Sequence, residues 1–171
     1  MEGTPPGPAL GRHRRGGPGG APQVRAWVLD TSAIVRFYVP DGPVPDGLVD
    51  AVETAWRGNG VLMVPELALA EAPQVLLKKE RAGLLRPDEV DGILTEILAL
   101  PVDVVGHRDY VFGAVELARQ MGLTVYDAIF LRLALDHGAD LVTADNDLER
   151  AYRRALKPCA GPTDPHGGKR S

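Results

Sequence analysis

Apolar residues fall into two alternating patterns along this chain. Short, nearly unbroken apolar runs at 26–30, 61–64, 102–105 and 141–143 have the length of buried strands. Between them, apolar positions recur at the spacing that lines one face of a helix. That spacing predicts helices over 33–38, 48–56, 65–81, 87–98, 110–121, 124–138 and 146–156. Local signals mark their ends: Pro40 after the first, Gly58-Asn59-Gly60 after the second, and Gly122 where a left-handed cap is wanted. Pro65 and Pro87 stand at expected first helical positions, and Asn146 at the cap of the last helix. Pro73 lies inside the third helix and predicts a kink or restart there. Strands alternating with helices give an α/β sandwich around a mostly parallel sheet.

Composition changes this picture at the ends. The 171 residues include 20 Gly and 15 Pro, enough to suggest disorder if they were evenly spread. Residues 1–25 hold seven Gly and five Pro, and 160–171 hold three Gly and two Pro. The 18 left in 26–159 are an ordinary share for a folded domain. We therefore expect a disordered basic arm over 1–25, one domain over 26–159 and a flexible tail over 160–171. A lone cysteine, Cys159, leaves no internal disulfide and no cysteine-based zinc cluster. No apolar run approaches the ~18 residues of a membrane span, and the N-terminal stretch lacks the apolar core of a signal peptide. The expected setting is the cytoplasm.

Charge divides along the same lines. With +3 on 1–25 and +1 on 160–171, the net charge of −4 leaves −8 on 26–159. Such a body repels a phosphate backbone unless some of its acids hold cations. With nine aromatic residues in all, several of them at core positions, a stacking platform for single strands is not expected.

Ligands of a parallel sheet bind outside the carboxyl ends of its strands. The first strand ends at Asp30, followed by Thr31-Ser32, and the fourth at Thr143-Ala144-Asp145. Glu71 lies in the helix after the second strand, and Asp127 in the first turn of the helix before the fourth. Each acid also has a plain structural reading. Thr124-x-x-Asp127 and Asn146-x-x-Glu149 fit capping boxes, Ser32 could cap a helix behind a turn at Asp30, and Glu71 could be a solvated carboxylate. Those readings leave unexplained why two strands each end in an acid beside hydroxyl residues.

Together, Asp30-Thr-Ser-Ala-Ile, Glu71 within Leu-Ala-Leu-Ala-Glu-Ala-Pro-Gln-Val-Leu, Tyr126-Asp127-Ala-Ile and Leu141-Val-Thr-Ala-Asp145 resemble the motifs of PIN-domain nucleases. The resemblance covers about residues 26–156 and is strongest to the toxin ribonucleases of VapBC toxin–antitoxin pairs. It implies a PIN-like α/β/α sandwich with a short, mostly parallel sheet of four to five strands, in which Asp30, Glu71, Asp127 and Asp145 gather at the sheet edge and hold Mg²⁺ or Mn²⁺. Ser32 and Thr143 would support the metal or a phosphate. It also implies an RNA substrate, an antitoxin partner and a homodimer. No membrane partner is expected.

The chemistry is coherent with that implication. Crowded carboxylates repel one another, and all-oxygen donors favour hard divalent cations over zinc. A bound cation acidifies water and neutralises charge on a phosphate. His13 and His166 lie in the end segments and His107 and His137 in connecting turns, so histidine acid–base catalysis is disfavoured. Arg36, Lys78, Lys79 and Arg132 are candidate phosphate contacts. Ile34, Val35, Phe37 and Tyr38, with Leu84 and Leu85, are expected to offer apolar surface to a partner. A haloacid-dehalogenase-type phosphatase would need a second Asp where Ser32 stands. Two functions compete with the toxin on the same fold: a non-catalytic binding scaffold, and a stand-alone RNA-processing nuclease without an antitoxin.

Overall fold

The computed structural model describes residues 24–157. The expected tail, Cys159 and all of the expected arm except Val24 and Arg25 lie outside the described residues. The elements run β1 (Arg25–Leu29), α1 (Thr31–Tyr38), α2 (Leu48–Trp56), β2 (Gly60–Pro65), α3 (Ala68–Arg81), α4 (Pro87–Leu98), β3 (Val102–Val105), a 3₁₀ turn at Arg108–Tyr110, α5 (Val111–Met121), α6 (Val125–His137), β4 (Asp140–Val142) and α7 (Asn146–Leu156). Arg25, expected in the arm, is the first residue of β1 and pairs with Gly60 of β2.

All strand pairs are parallel, and the spatial order is β3-β2-β1-β4. The chain therefore builds outward from β1 in one direction and then returns to add β4 on the other side. Such a reversal opens a crevice at the carboxyl ends of the two strands that flank it. Here those strands are β1 and β4. Four strands are present among the described residues, the lower of the two expected numbers.

Consecutive burial explains why β1 is apolar throughout its second half. Trp27, Val28 and Leu29 are all buried, so both faces of the central strand are covered. From β2 come Leu62, Met63 and Val64, and from α6 come Phe130, Leu131, Leu133 and Ala134, all in the same core. Gly60 is required by this packing: a Cβ there would stand 2.6 Å from the Trp27 ring.

Three local expectations are corrected. Pro65 does not open α3 but ends β2, in register with Val105. Its missing N–H costs no bond to β3, because the Glu66 amide reaches the Val105 carbonyl at 2.8 Å. Pro73 does not restart α3, which runs unbroken from Ala68 to Arg81. Asn146 is not the cap of α7; it is the first helical residue, and the cap is Asp145. Glu149, its supposed capping partner, is instead ion-paired with Arg153.

The apolar residues of α1 also divide. Ile34 and Val35 are core, Tyr38 is half-buried against it, and Phe37 is exposed, edge-on to Tyr38 with ring centroids 5.2 Å apart. Leu84 is exposed and Leu85 half-buried against the core.

Candidate active site

Asp30 is fixed by its backbone on both sides. Its N–H continues the sheet by donating to the Val142 carbonyl at 2.9 Å, and its carbonyl accepts the first bond of α1 from Ile34 at 3.1 Å. The side chain is then left to cap the helix it has just opened. It is only 6% exposed, the reverse of what an ordinary cap needs.

One oxygen of that carboxylate is heavily engaged. Oδ2 accepts from the Ser32 amide at 3.2 Å, from the Thr143 hydroxyl at 2.9 Å and from the Ser32 hydroxyl. Ser32 Oγ in turn accepts the Ala144 amide at 2.9 Å, and Thr143 Oγ1 accepts the Asp145 amide at 2.9 Å. Two hydroxyls thus tie the start of α1 to the turn after β4. Ser32 therefore does not cap the helix; Asp30 does.

The other three acids reach the same place by different routes. Glu71 lies in the first turn of α3, which packs on α1, and its Oε2 accepts from the Thr31 hydroxyl at 2.7 Å. Asp127 lies in the first turn of α6, whose cap Thr124 accepts the Asp127 amide at 3.1 Å. That cap also donates to Asp127 Oδ2 at 2.6 Å, so the expected box is half formed. Asp145 caps α7: its Oδ1 accepts from the amides of Asp147 at 2.7 Å and Leu148 at 3.0 Å. Structural and site roles coexist in these residues, because one oxygen serves the helix and the other remains.

All four acids line one cleft of about 410 Å³ at the carboxyl edge of β1, together with Thr31 and Ser32. Thr143 is tied to it through Asp30. Among the described residues, none of the four is ion-paired with Lys or Arg, and each keeps one carboxylate oxygen that accepts no side-chain or cap hydrogen bond. The electrostatic consequence falls on the two more buried acids. Burial raises Asp30 above its ordinary value, against the lowering hydrogen bonds from Ser32 and Thr143, and the charge of Asp127 adds to the rise. Burial likewise raises Glu71, against its bond from Thr31, with further rises from Asp30 and Asp127. The acids feel one another across the cleft.

The cleft lining also carries basic side chains. Arg36, Lys78 and Lys79 line the same cleft. Arg132 does not line it; it is paired with Asp136 along α6. Sequence reasoning missed Thr31, whose hydroxyl fixes Glu71, and Asp41, which enters the cleft between Arg36 and Lys79. The only sequence signal for Thr31 is a second hydroxyl directly after the strand-end acid; Asp41 gave none.

Among the described residues, no three Asp, Glu, His or Cys side chains stand close enough to cage an ion as they are. The donor set nevertheless suits a hard divalent cation. It is all oxygen, none of the four acids is paired with a Lys or Arg among the described residues, and each carboxylate is braced through its other oxygen, as ligating carboxylates are.

A PIN-domain family model matches residues 27–154 of this chain. The chain is 32% identical over 133 residues to Ribonuclease VapC3 of Pyrobaculum aerophilum, covering 77% of this chain and 98% of that protein. Among solved structures it is similar to PAE2754 from Pyrobaculum aerophilum, with a TM-score of 0.59 at 22% identity over 75% of this chain and 80% of that one. It is also similar to VapBC2 from Rickettsia felis, solved bound to a DNA fragment from its promoter, with a TM-score of 0.54 at 20% identity over 74% and 92%. The strand reversal, the acids at its crevice and the span of the sequence match agree that this chain belongs to the PIN-domain family.

Proposed function

We propose that this chain is a Mg²⁺- or Mn²⁺-dependent endoribonuclease, the toxin of a VapBC-type toxin–antitoxin pair. The observation that carries the reading is the convergence of Asp30, Glu71, Asp127 and Asp145 on one cleft with no cation partner among the described residues. The likeness to Ribonuclease VapC3 supports the activity, and the VapBC2 structure supports an antitoxin partner. A homodimer remains part of the proposal. Exposed Phe37 and Leu84 are the residues of the expected apolar surface still available to a partner.

The four carboxylates would hold the cation, which when bound supplies acidified water and charge to set against a phosphate. The chain's own contribution is positioning. Ser32 and Thr143 hold Asp30 by one oxygen and leave the other for the cleft, and Thr31 does the same for Glu71. Burial of Asp30 lowers the local dielectric, which strengthens every charge interaction made there. Arg36, Lys78 and Lys79 add positive charge to the same cleft.

The test is cleavage of structured and unstructured RNA with Mg²⁺ or Mn²⁺, beside an Asp30→Asn control. Cleavage that needs the metal and is lost in the control is the expected result. Metal-independent cleavage, or full activity in the control, would sink the reading.

A further inference from the structure

Asp41 lies in the loop after α1 and sits between two cations. Its Oδ1 is 2.7 Å from Arg36 Nε, and its Oδ2 is ion-paired with Lys79. All three side chains line the acid cleft, and Lys78 beside them has no ion pair among the described residues. The two basic side chains are the more enclosed partners: Arg36 is 22% and Lys79 16% exposed, against 35% for Asp41. Arg36 is also held by the Pro43 carbonyl, at 3.5 Å, so the loop folds over its guanidinium.

A single carboxylate whose two oxygens are taken by a guanidinium and an ammonium occupies a ready-made oxyanion site. A phosphate diester offers the same pair of charged oxygens to the same donors. In the same cleft as the unpaired acids, such a site would give phosphate a local attraction within a body whose net charge of −8 over 26–159 otherwise repels it.

We propose that Arg36 and Lys79 form a backbone-phosphate subsite for the polynucleotide strand, and that Asp41 fills it as an internal substitute until a phosphate displaces it. The ligand's identity rests on the proposed nuclease activity; the subsite itself rests on the pairing geometry. Lys78 adds charge at its rim. The neighbouring cations lower the Asp41 carboxyl, chiefly through Lys79, so the substitute is ionised at neutral pH and competes as an anion. The exchange trades one anion for another. It therefore leaves the cations paired in both states, and the charge released is the Asp41 carboxylate, the most exposed of the three side chains.

The experiment reads binding rather than cleavage. End-labelled single-stranded RNA is titrated with the full chain carrying Asp30→Asn, in Mg²⁺, by fluorescence anisotropy across a salt series. In that background, Asp41→Asn should tighten binding about threefold to tenfold and steepen the salt dependence, because two cations are freed for phosphate. RNA of unrelated sequence should show the same gain. Arg36→Ala and Lys79→Ala should each weaken binding about threefold to tenfold, and Asp41→Asn should bring no gain once both are present. Unchanged or weaker binding in Asp41→Asn, with its melting temperature preserved or lowered, would mean that Asp41 only fastens the loop, and would overturn the proposal. So would a gain that survives loss of both cations, or no binding in any variant. Asp41→Ser provides a second test that does not depend on how the loop accepts an amide. RNA binding through Arg36 and Lys79 by a chain that cleaves nothing would sink the nuclease reading and leave the subsite standing. Metal-dependent cleavage with no effect of Asp41→Asn on binding would do the reverse.

Discussion

Two groups of side chains in the cleft lining use carboxylates in opposite ways. Asp30, Glu71, Asp127 and Asp145 have hydroxyl and amide donors but no cation, although burial and mutual repulsion raise Asp30 and Glu71 above their ordinary values. Asp41 has two cations and is held below its ordinary value, chiefly by Lys79. The difference is one of neighbours rather than of residue type. A carboxylate that lowers the energy of the fold finds its counterion within the fold, as Asp41 does. Carboxylates left crowded without one make the metal-free fold less stable, and that cost is the physical mark of a group kept for a ligand.

Replacing the unpaired acids should break the contrast most sharply. Asp30→Asn is expected to lower RNA cleavage by about 100-fold or more, measured under saturating Mg²⁺. Asp127→Asn should abolish cleavage as well, while raising the metal-free melting temperature by about 2–4 °C for each ~1 kcal/mol of repulsion relieved. A drop in both stability and activity would return Asp127 to a purely capping role. Ser32→Ala attacks the brace instead of the acid. It leaves the Ala144 amide and one Asp30 oxygen short of a partner, so chemical denaturation should show a loss of about 1–3 kcal/mol. Cleavage should fall by roughly 10–100-fold, as for outer-shell residues generally.

pH sharpens the comparison further. Folded Asp30 and Glu71 bind protons more readily than their ordinary values of 3.8 and 4.5 would allow. The metal-free protein should therefore gain stability from them as pH falls from neutral through the raised values. Asp41 acts with the opposite sign: its contribution is present above 3.8 and is lost as pH falls through its lowered value. Thermal melts in EDTA should thus rise on mild acidification. Melts in Mg²⁺ should rise less, because the cation already offsets the same repulsion. The smallest effect belongs to a pair outside the cleft lining. Arg57 and Glu53 are 67% and 55% exposed, and Arg57→Ala should change stability by no more than about 0.5 kcal/mol.

Much of this arrangement was legible in the sequence because it is local. The two strand-end acids could be placed by topology alone, and the helix starts at Thr124 and Pro87 could be placed by their own residues. Signals failed where a distant partner decided the outcome. Pro65 has the local character of a helix start, but pairing with Val105 keeps it in a strand. Asn146 has the character of a cap, yet Asp145 takes the role one residue earlier. The bond between Thr143 and Asp30 spans 113 positions, and that between Lys79 and Asp41 spans 38. No reading of neighbouring residues could show which acid would find a cation.

The order β3-β2-β1-β4 has a consequence for synthesis. Asp30 and Glu71 belong to the half of the chain that a ribosome makes first, whereas Asp127, Thr143 and Asp145 arrive near the end. β4 docks on the edge of β1 before the Ser32 and Thr143 hydroxyls can close on Asp30. A nascent chain that has completed β1, β2 and β3 holds only half of its acids, and it still lacks α6, which supplies Phe130, Leu131 and Leu133 to the core. An unfinished chain without β4 therefore has neither the full set of acids nor the brace on Asp30.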